Sequence, residues 1–230
     1  MLTTNAGVFM GNTLIKRTSQ IGGSKFVFVA LGGSTNMQPM PIGGKIVNPF
    51  FGKMYAGDLV EFDIPTGASA EGATIKLLKT YTVDDTVEST GTVIKIKKNG
   101  FTHRPTVGEF IMKAPSKLTD KGAGYAITAV AETESQYVVT VATTLGALAK
   151  GDILVNAAQS GSSVNMLVTN PNAVLDCDYD MLYNPSDPDG VANYLITPVM
   201  HGVMWECRMS ALPNCVKAIN KSKVTGWFEI

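Results

Sequence analysis

The chain of 230 residues is long enough for one large domain or two small ones, and it carries 19 basic and 19 acidic residues. Non-specific binding to nucleic acid needs an excess of cations, so a net charge of zero argues against that class of protein. Only 17% of the residues are charged, which weakens repulsion between copies and favours an assembled state.

Residues 1–55 are rich in Gly, Pro, Asn and Met, and we expect an extended N-terminal arm with one or two strands. One strand is predicted over 25–31, between two Gly-Gly pairs. The two prolines of the QPMP stretch, Pro39 and Pro41, remove backbone donors and favour extended chain. This arm either packs on its own chain or lies along a neighbouring subunit, where Met and Phe side chains adapt well to a surface.

Residues 56–157 alternate short apolar runs with turn residues, which predicts a small β-barrel or sandwich domain. The phrases AGDLVEF (56–62) and KGDILVN (150–156) frame this domain, each as a turn that feeds a strand. We expect these first and last strands to lie together and close the barrel. Lys97-Lys98-Asn99-Gly100 supplies a turn pair. The predicted strands are Asp58–Ile64, Thr74–Thr82, Gly91–Lys97, Phe110–Ala114, Tyr125–Ala131, Tyr137–Ala142 and Asp152–Ala157.

Residues 158–230 are predicted to form a second β-rich region with a short helix. It opens on a polar stretch, AAQSGSSVN, which we interpret as a hinge. The segment ALPNCVKAINKS predicts the helix, because Pro213 suits a first turn and Cys215, Ala218 and Ile219 share a face. The chain as a whole is therefore expected to be all-β. Strands are predicted near Leu175–Tyr183, Tyr194–Met209 and Gly226–Ile230.

Three aspartates alternate with apolar residues in the stretch LDCDYDMLY, from Leu175 to Tyr183. Asp176, Asp178 and Asp180 are weak candidates for a metal site. A calcium loop of this kind needs Gly at its sixth position and a bidentate Glu at its twelfth, where this chain has Met181 and Asp187. The alternation instead indicates a half-buried strand whose acids face solvent or a basic partner. We expect no metal and no cofactor.

A catalytic set is not evident in the sequence. The two histidines, His103 and His201, lie outside any G-x-S-x-G or H-E-x-x-H motif, and the Gly-rich phrases lack the phosphate-loop pattern. A pair of His201 with Cys207 remains open by spacing, but a lone histidine is more often a hydrogen-bonded core residue. We therefore expect a structural or interaction protein and no enzyme.

Compartment and membrane association follow from two further observations. The three cysteines have no C-x-x-C spacing, which indicates buried thiols rather than a disulfide scaffold. The opening residues lack the basic segment and apolar core of a signal peptide, and no run approaches the length of a membrane span. We expect a soluble protein made in the cytoplasm, with no membrane partner.

Several phrases of the chain resemble a known family. LLKTYTV, GFTHRPTVGEFIM and TLGALAKGDILV, together with the later ITPVMHGVMWECRMSALPNCVKA, resemble the auxiliary (decoration) capsid and head-fibre proteins of tailed bacteriophages, especially those of crAss-like phages of gut bacteria. The resemblance covers about two thirds of the chain and leaves residues 1–55 outside it. The chain has no long repetitive shaft, which favours a decoration protein over a complete fibre.

The resemblance implies a virion structural protein on the outer capsid surface that binds the major capsid protein and stabilises the head. It implies symmetric copies on the capsid lattice or a homo-oligomer, with a trimer expected, and attachment of other head-fibre proteins is compatible with it. The alternative is a head-fibre adhesin, or the base of a fibre, that binds host surface glycans through aromatic residues such as Phe101 and Tyr137. A third hypothesis is a hydrolase built on His201 and Cys207.

Overall fold

The computed structural model describes residues 30–31, 34–35, 38–39, 44–46, 52–63, 73–181, 196, 198–201, 204–205, 209–217 and 227–228. Nearly all of their regular structure is β, which confirms the predicted all-β class. The strands are β1 (Ala30–Leu31), β2 (Ser34–Thr35), β3 (Gln38–Pro39), β4 (Gly44–Ile46), β5 (Gly52–Met54), β6 (Leu59–Asp63), β7 (Ala73–Leu77), β8 (Thr80–Thr82), β9 (Val93–Lys97), β10 (Phe110–Lys113), β11 (Gly122–Glu132), β12 (Gln136–Val141), β13 (Ile153–Asn156), β14 (Gly161–Val164), β15 (Ala173–Val174), β16 (Tyr179–Met181), β17 (Val199–His201), β18 (Met204–Trp205) and β19 (Trp227–Phe228).

The larger sheet is a barrel. Its strands follow the order β8-β13-β10-β11-β12-β9, and β14 joins at β11. The ring closes where Val83, just after β8, bridges Ile96 of β9, and Asp84 N donates to Lys95 O at 2.8 Å. The interior follows from the alternation of apolar and polar residues, as in β9, whose burial alternates along VIKIK. Side chains that fill the interior are Tyr81, Val83, Val87, Ile94, Ile96, Ile111, Ile127, Tyr137, Val139, Val141, Leu148 and Leu154.

The second sheet has the order β3-β17-β15-β6-β7-β4. Its strand β6 corresponds to AGDLVEF, and it pairs with β7 and β15 rather than with β13. The two Gly-Asp segments were predicted to precede adjacent strands, and that prediction is therefore wrong. The reason is a break at 78–79 in the run predicted as one strand: β7 pairs with β6, whereas β8 pairs with β13 in the barrel.

Both Gly-Asp phrases nevertheless form the turn that the sequence predicted. Gly57 and Gly151 have φ of 87° and 92°, a conformation that favours glycine. The following aspartate then closes each turn: Asp58 Oδ2 accepts from Tyr55 N at 2.7 Å, and Asp152 Oδ2 accepts from Ala149 N at 2.8 Å. The same local chemistry therefore starts two strands that lie in different sheets.

The outer face of the barrel packs against the second sheet. Met112 and Val155 lie opposite each other on β10 and β13, and both belong to a core cluster that also contains Leu59 of β6 and Val174 of β15. The segment 209–217 covers the same cluster. It contains a helical turn at 214–217 that follows Pro213, as predicted, and it buries Met209, Leu212, Cys215 and Val216 there.

The described residues of the N-terminal region include five short strands, where the sequence predicted one or two. Three of them pair with distant parts of the same chain: β3 with β17, β4 in parallel with β7, and β5 with β16. Ile46 and Met54 are buried in the core of the second sheet. Residues 44–54 therefore include strands of this chain's own fold. Of the predicted strand over 25–31, only β1 at Ala30–Leu31 is described.

The C-terminal part of the chain differs from the predicted pattern in two places. The stretch interpreted as a hinge contains β14 (Gly161–Val164), which pairs with β11. The predicted strand over Leu175–Tyr183 is interrupted by a bend at 176–177, and only β16 remains of it within the described residues. The proposed domain boundaries at 55/56 and 157/158 stay predictions, although the second sheet joins strands from all three segments.

Candidate functional site

The loop 98–109 connects β9 to β10 and joins two buried polar clusters. It begins at the predicted Asn-Gly turn, where Asn99 Oδ1 accepts from Phe101 N at 2.8 Å. His103 and Pro105 are buried, whereas Arg104 between them is exposed. Because buried and exposed residues alternate, only one side of the loop contributes to the core. The chemistry of the loop therefore depends on its buried residues.

The first cluster, here called the Asp58 cluster, consists of Asp58, His103, Ser210 and the backbone of Tyr55. His103 Nε2 lies 2.7 Å from Asp58 Oδ2, and both side chains are fully buried. Ser210 Oγ donates to Asp58 Oδ1 at 3.0 Å. The rings of Tyr55 and His103 also pack together, with centroids 5.6 Å apart. One carboxylate thus connects the turn before β6, the loop 98–109 and the segment 209–217.

The order of the groups distinguishes this cluster from a hydrolase triad. In a triad the imidazole lies between the acid and the hydroxyl, so that it can take the hydroxyl proton. Here the carboxylate of Asp58 lies between His103 and Ser210. The arrangement joins segments of chain, and it does not place an imidazole base on Ser210. His103 is accordingly a hydrogen-bonded core histidine.

The second cluster, here called the Lys79 cluster, consists of Lys79, Tyr81, Glu109 and Asn156. Lys79 Nζ donates to Glu109 Oε1. Tyr81 OH donates to Glu109 Oε2 at 3.3 Å, and Thr106 N reaches the same oxygen at 3.3 Å. The Lys79 side chain is only 1% exposed, although lysine is almost never fully buried without a partner.

Burial dominates the titration of this cluster. Removal of the Lys79 ammonium from water lowers its pKa, and the nearby Glu109 carboxylate only partly opposes that effect. Burial, followed by the charge of Glu109, raises the pKa of Tyr81 well above its ordinary value. Tyr81 therefore stays a neutral hydrogen-bond donor. Lys79, by contrast, loses its proton more readily than a lysine in water does.

Asn156 belongs to the Lys79 cluster by strand register. Val155 lies opposite Thr80 and Leu154 opposite Tyr81, so the next step of the register places Asn156 opposite Lys79. On its other side Asn156 lies directly opposite Ile111, two residues after Glu109. Leu154, Tyr81 and Ile111 all point into the barrel, so Asn156 lies on the interior face. It is 6% exposed, and its Oδ1 is buried without a hydrogen-bond partner.

The aspartates of LDCDYDMLY have local structural roles. Asp178 Oδ1 accepts from Ala56 N at 2.8 Å, and Asp176 Oδ1 accepts from Tyr179 OH at 3.2 Å. Both are half-buried, so the interpretation of all three acids as the wet face of a strand is wrong for these two. Asp180 lies on β16, and its side chain is outside the described residues. Among the residues that the structure describes, no group of three potential ligands could hold a metal ion.

The residues named for the alternative functions are placed as follows. Tyr137, proposed as an exposed sugar-stacking residue, is 6% exposed and fills the barrel interior, so that prediction is wrong. Phe101 is half-buried and packs edge-on against Tyr55 at 5.9 Å. His201 ends β17, but its side chain and Cys207 lie outside the described residues. The pairing of His201 with Cys207 stays a prediction.

The sequence reasoning missed both clusters, although it contained a signal for each. Asp58 belongs to a Gly-Asp phrase that was singled out as a turn. Lys79 follows Ile75 and Leu77 at alternate positions and precedes Tyr81, which is the pattern of a cation on an apolar face. What the pattern could not supply is the partner, because Glu109 lies in the loop 98–109 and Asn156 in β13, both far along the chain.

Comparison with known proteins gave no match: no protein-family model, curated protein or solved structure matches this chain. Within the described part of the chain, no helix has the length and apolar character that crossing a membrane requires.

Proposed function

We propose that the chain is a virion structural protein, an auxiliary capsid protein that decorates the phage head by binding the major capsid protein. The resemblance of its phrases to decoration and head-fibre proteins supports this role. The fold is compatible with it, because an all-β chain presents extended surfaces on a rigid framework. In this proposal the protein is located on the outer surface of the virion and is not an enzyme.

The observation that carries the proposal is the use of the buried polar residues. Asp58, His103, Ser210, Lys79 and Glu109 are residue types that often perform catalysis, yet here they bond to one another inside the protein. Their bonds connect segments far apart in the sequence, from the turn before β6 to the segment 209–217. Such internal connections favour rigidity, which a part fixed to a pressurised shell requires.

Stabilisation of the head follows from mass action. A protein that binds the assembled lattice and not its separated subunits shifts the equilibrium toward the lattice. Symmetric copies are the expected arrangement, because closed symmetry is the rule for assemblies of identical chains. We propose a homo-oligomer, with a trimer as the first arrangement to test, bound to the major capsid protein. The zero net charge removes one source of repulsion between neighbouring copies.

Residues 1–29 are the part of the arm that we propose as a clamp on the shell. We leave residues 44–54 out of the proposed clamp, because β4 and β5 contribute Ile46 and Met54 to the core of the second sheet. A truncation that removes residues 1–55 would therefore damage the fold itself. Removal of residues 1–29 leaves every described strand in the chain.

The test is co-sedimentation of the purified protein with undecorated phage heads, titrated to saturation. We expect saturable binding with a fixed ratio of copies to capsomers, and that ratio reports the symmetry axis that is occupied. Absence of binding would overturn the proposal and make a glycan array the next experiment.

The truncated chain beginning at residue 30 tests the clamp separately. We expect it to fold, as judged by an unchanged circular dichroism spectrum, and to bind heads more weakly than the full chain. Equal binding by the folded truncated chain would remove the clamp while leaving the decoration role in place.

A further inference from the structure

The Lys79 cluster combines a buried amine, a carboxylate bonded to that amine and a buried carboxamide on the neighbouring strand. These are the three groups needed to form an amide bond between two side chains without any cofactor. We propose that Lys79 and Asn156 form an intramolecular isopeptide bond inside the barrel, with Glu109 as the proton carrier.

The strand register relates the two reacting residues. Continuation of the β8–β13 register by one residue sets Lys79 opposite Asn156, and directly opposite residues have Cβ atoms about 5 Å apart. Both side chains lie on the interior face: Lys79 reaches the same carboxylate as Tyr81, and Asn156 alternates with Leu154. A fixed arrangement of this kind makes an otherwise slow bimolecular reaction effectively unimolecular.

Burial prepares the amine. A lysine attacks a carbonyl only as the neutral amine, and removal from water lowers the pKa of Lys79. The Glu109 carboxylate accepts a hydrogen bond from Nζ and is therefore in position to take its proton. The electrophile is the carbonyl carbon Cγ of Asn156, and the oxygen on that carbon, Oδ1, is buried without a hydrogen-bond partner.

The reaction balances without an external reagent. The Nζ–Cγ bond forms and the Cγ–Nδ2 bond of Asn156 breaks. Nζ begins as an ammonium and gives up two protons, which Glu109 carries in turn to Nδ2. The nitrogen leaves as an ammonium ion, and Glu109 returns to its carboxylate form. The product is a secondary amide that links β13 to the residue before β8 and closes a covalent loop over residues 80–155.

Mass spectrometry of the denatured full chain tests the proposal directly. We expect an intact mass lower than that of the sequence by one ammonia, and a branched proteolytic peptide in which Lys79 is joined to Asn156. Retention of the full sequence mass after prolonged incubation of the folded protein would overturn the proposal. This result does not depend on the outcome of head binding.

Variants separate the proposed bond from another loss of ammonia. Asn99-Gly100 can also lose ammonia, as a cyclic imide, and that loss would survive replacement of Lys79. We expect Lys79→Arg and Glu109→Gln to have the unmodified mass at Asn156, whereas Lys76→Arg, on the adjacent strand β7, keeps the branched peptide. A branched peptide that persists in Lys79→Arg would also contradict the assignment.

Discussion

The imidazole of His103 and the carboxylate of Asp58 lie 2.7 Å apart, between Nε2 and Oδ2, and neither side chain is exposed to solvent. The two residues lie 45 positions apart in the sequence. Their contact fixes the loop 98–109 against the turn before β6. The same carboxylate accepts from Ser210 Oγ, so a third segment depends on it.

Replacement of Asp58 by alanine should destabilise the protein strongly. The change leaves the backbone N–H of Tyr55, the hydroxyl of Ser210 and the imidazole of His103 without their common acceptor. Buried groups that lose a partner cost about 1–3 kcal/mol each, so we expect a loss of at least about 3 kcal/mol in the free energy of unfolding. Urea unfolding measures it.

The matched control is Asp63→Ala, at the exposed end of the same strand β6. We expect its free energy of unfolding to stay close to that of the wild type, because surface substitutions have effects within about 0.5 kcal/mol. Similar losses for the two variants would mean that the Asp58 cluster contributes no more than an exposed carboxylate.

Strand positions were largely predictable from the sequence, and strand partners were not. The alternation in VIKIK and the apolar run of FIMK fix β9 and β10 locally, and both appear where expected. The run predicted as one strand over 74–82 splits between two sheets, because Leu78 N donates to Leu59 O at 2.9 Å while Tyr81 pairs with Leu154. Alternation alone carries no information about such a change of partner.

The candidate site was hidden for the same reason. Each cluster assembles residues from distant segments. Lys79 and Tyr81 share the segment LLKTYTV, but their partners Glu109 and Asn156 lie far along the chain. His103 could be recognised as a core histidine by type, but its partner Asp58 depends on the path of the chain. The polar stretch GSSV was interpreted as a hinge because of its composition, whereas its pairing with β11 makes it a strand.

Gly124 should be sensitive to the smallest possible enlargement. A Cβ at this position of β11 would lie 2.7 Å from Ala157 Cβ and 2.7 Å from Val164 Cγ2, closer than real contacts allow. Overpacking of a dense core costs about 1–3 kcal/mol, so we expect Gly124→Ala to lower the free energy of unfolding by that amount. Thermal and urea unfolding both report it.

The control for Gly124 is Gly100→Ala in the loop after β9. A Cβ at Gly100 meets nothing within 4 Å, and its φ is not in the left-handed region. We expect no loss of stability there, or a small gain, because alanine restricts the unfolded chain more than glycine does. If both variants lose stability equally, the close contact at Gly124 is not the cause.

Glu61 should make part of the stability depend on pH. Burial opposes its ionisation, but bonds from Lys76 Nζ and from the backbone N–H groups of Asn170 and Thr169 outweigh burial and lower its pKa below the ordinary 4.5. A carboxyl group with a lowered folded-state pKa stabilises the protein fully above pH 4.5. That contribution is lost as the pH falls through the folded-state pKa.

Glu61→Gln tests this dependence. We expect the variant to be less stable than the wild type by about 1–3 kcal/mol at pH 7, since bonds to a charged group are lost. The difference between the two proteins should shrink as the pH is lowered below 4.5. Glu134→Gln, at the exposed tip of the β11–β12 hairpin, should match the wild type throughout. A difference for Glu61→Gln that is constant with pH would show that its charge is not involved.

The aspartates near β16 should stabilise the protein without calcium. Asp178 accepts from Ala56 N at 2.8 Å, so its oxygen is already used by the turn before β6. We expect Asp178→Ala to lower the free energy of unfolding by about 1–3 kcal/mol, because the backbone N–H of Ala56 loses its hydrogen-bond acceptor. The melting temperature of the wild type should be the same in calcium and in a chelator. A calcium-dependent rise in the wild type that disappears when Asp176, Asp178 and Asp180 are all replaced by asparagine would instead establish a metal site. That result would mean that Asp178 exchanges its backbone partner for the ion.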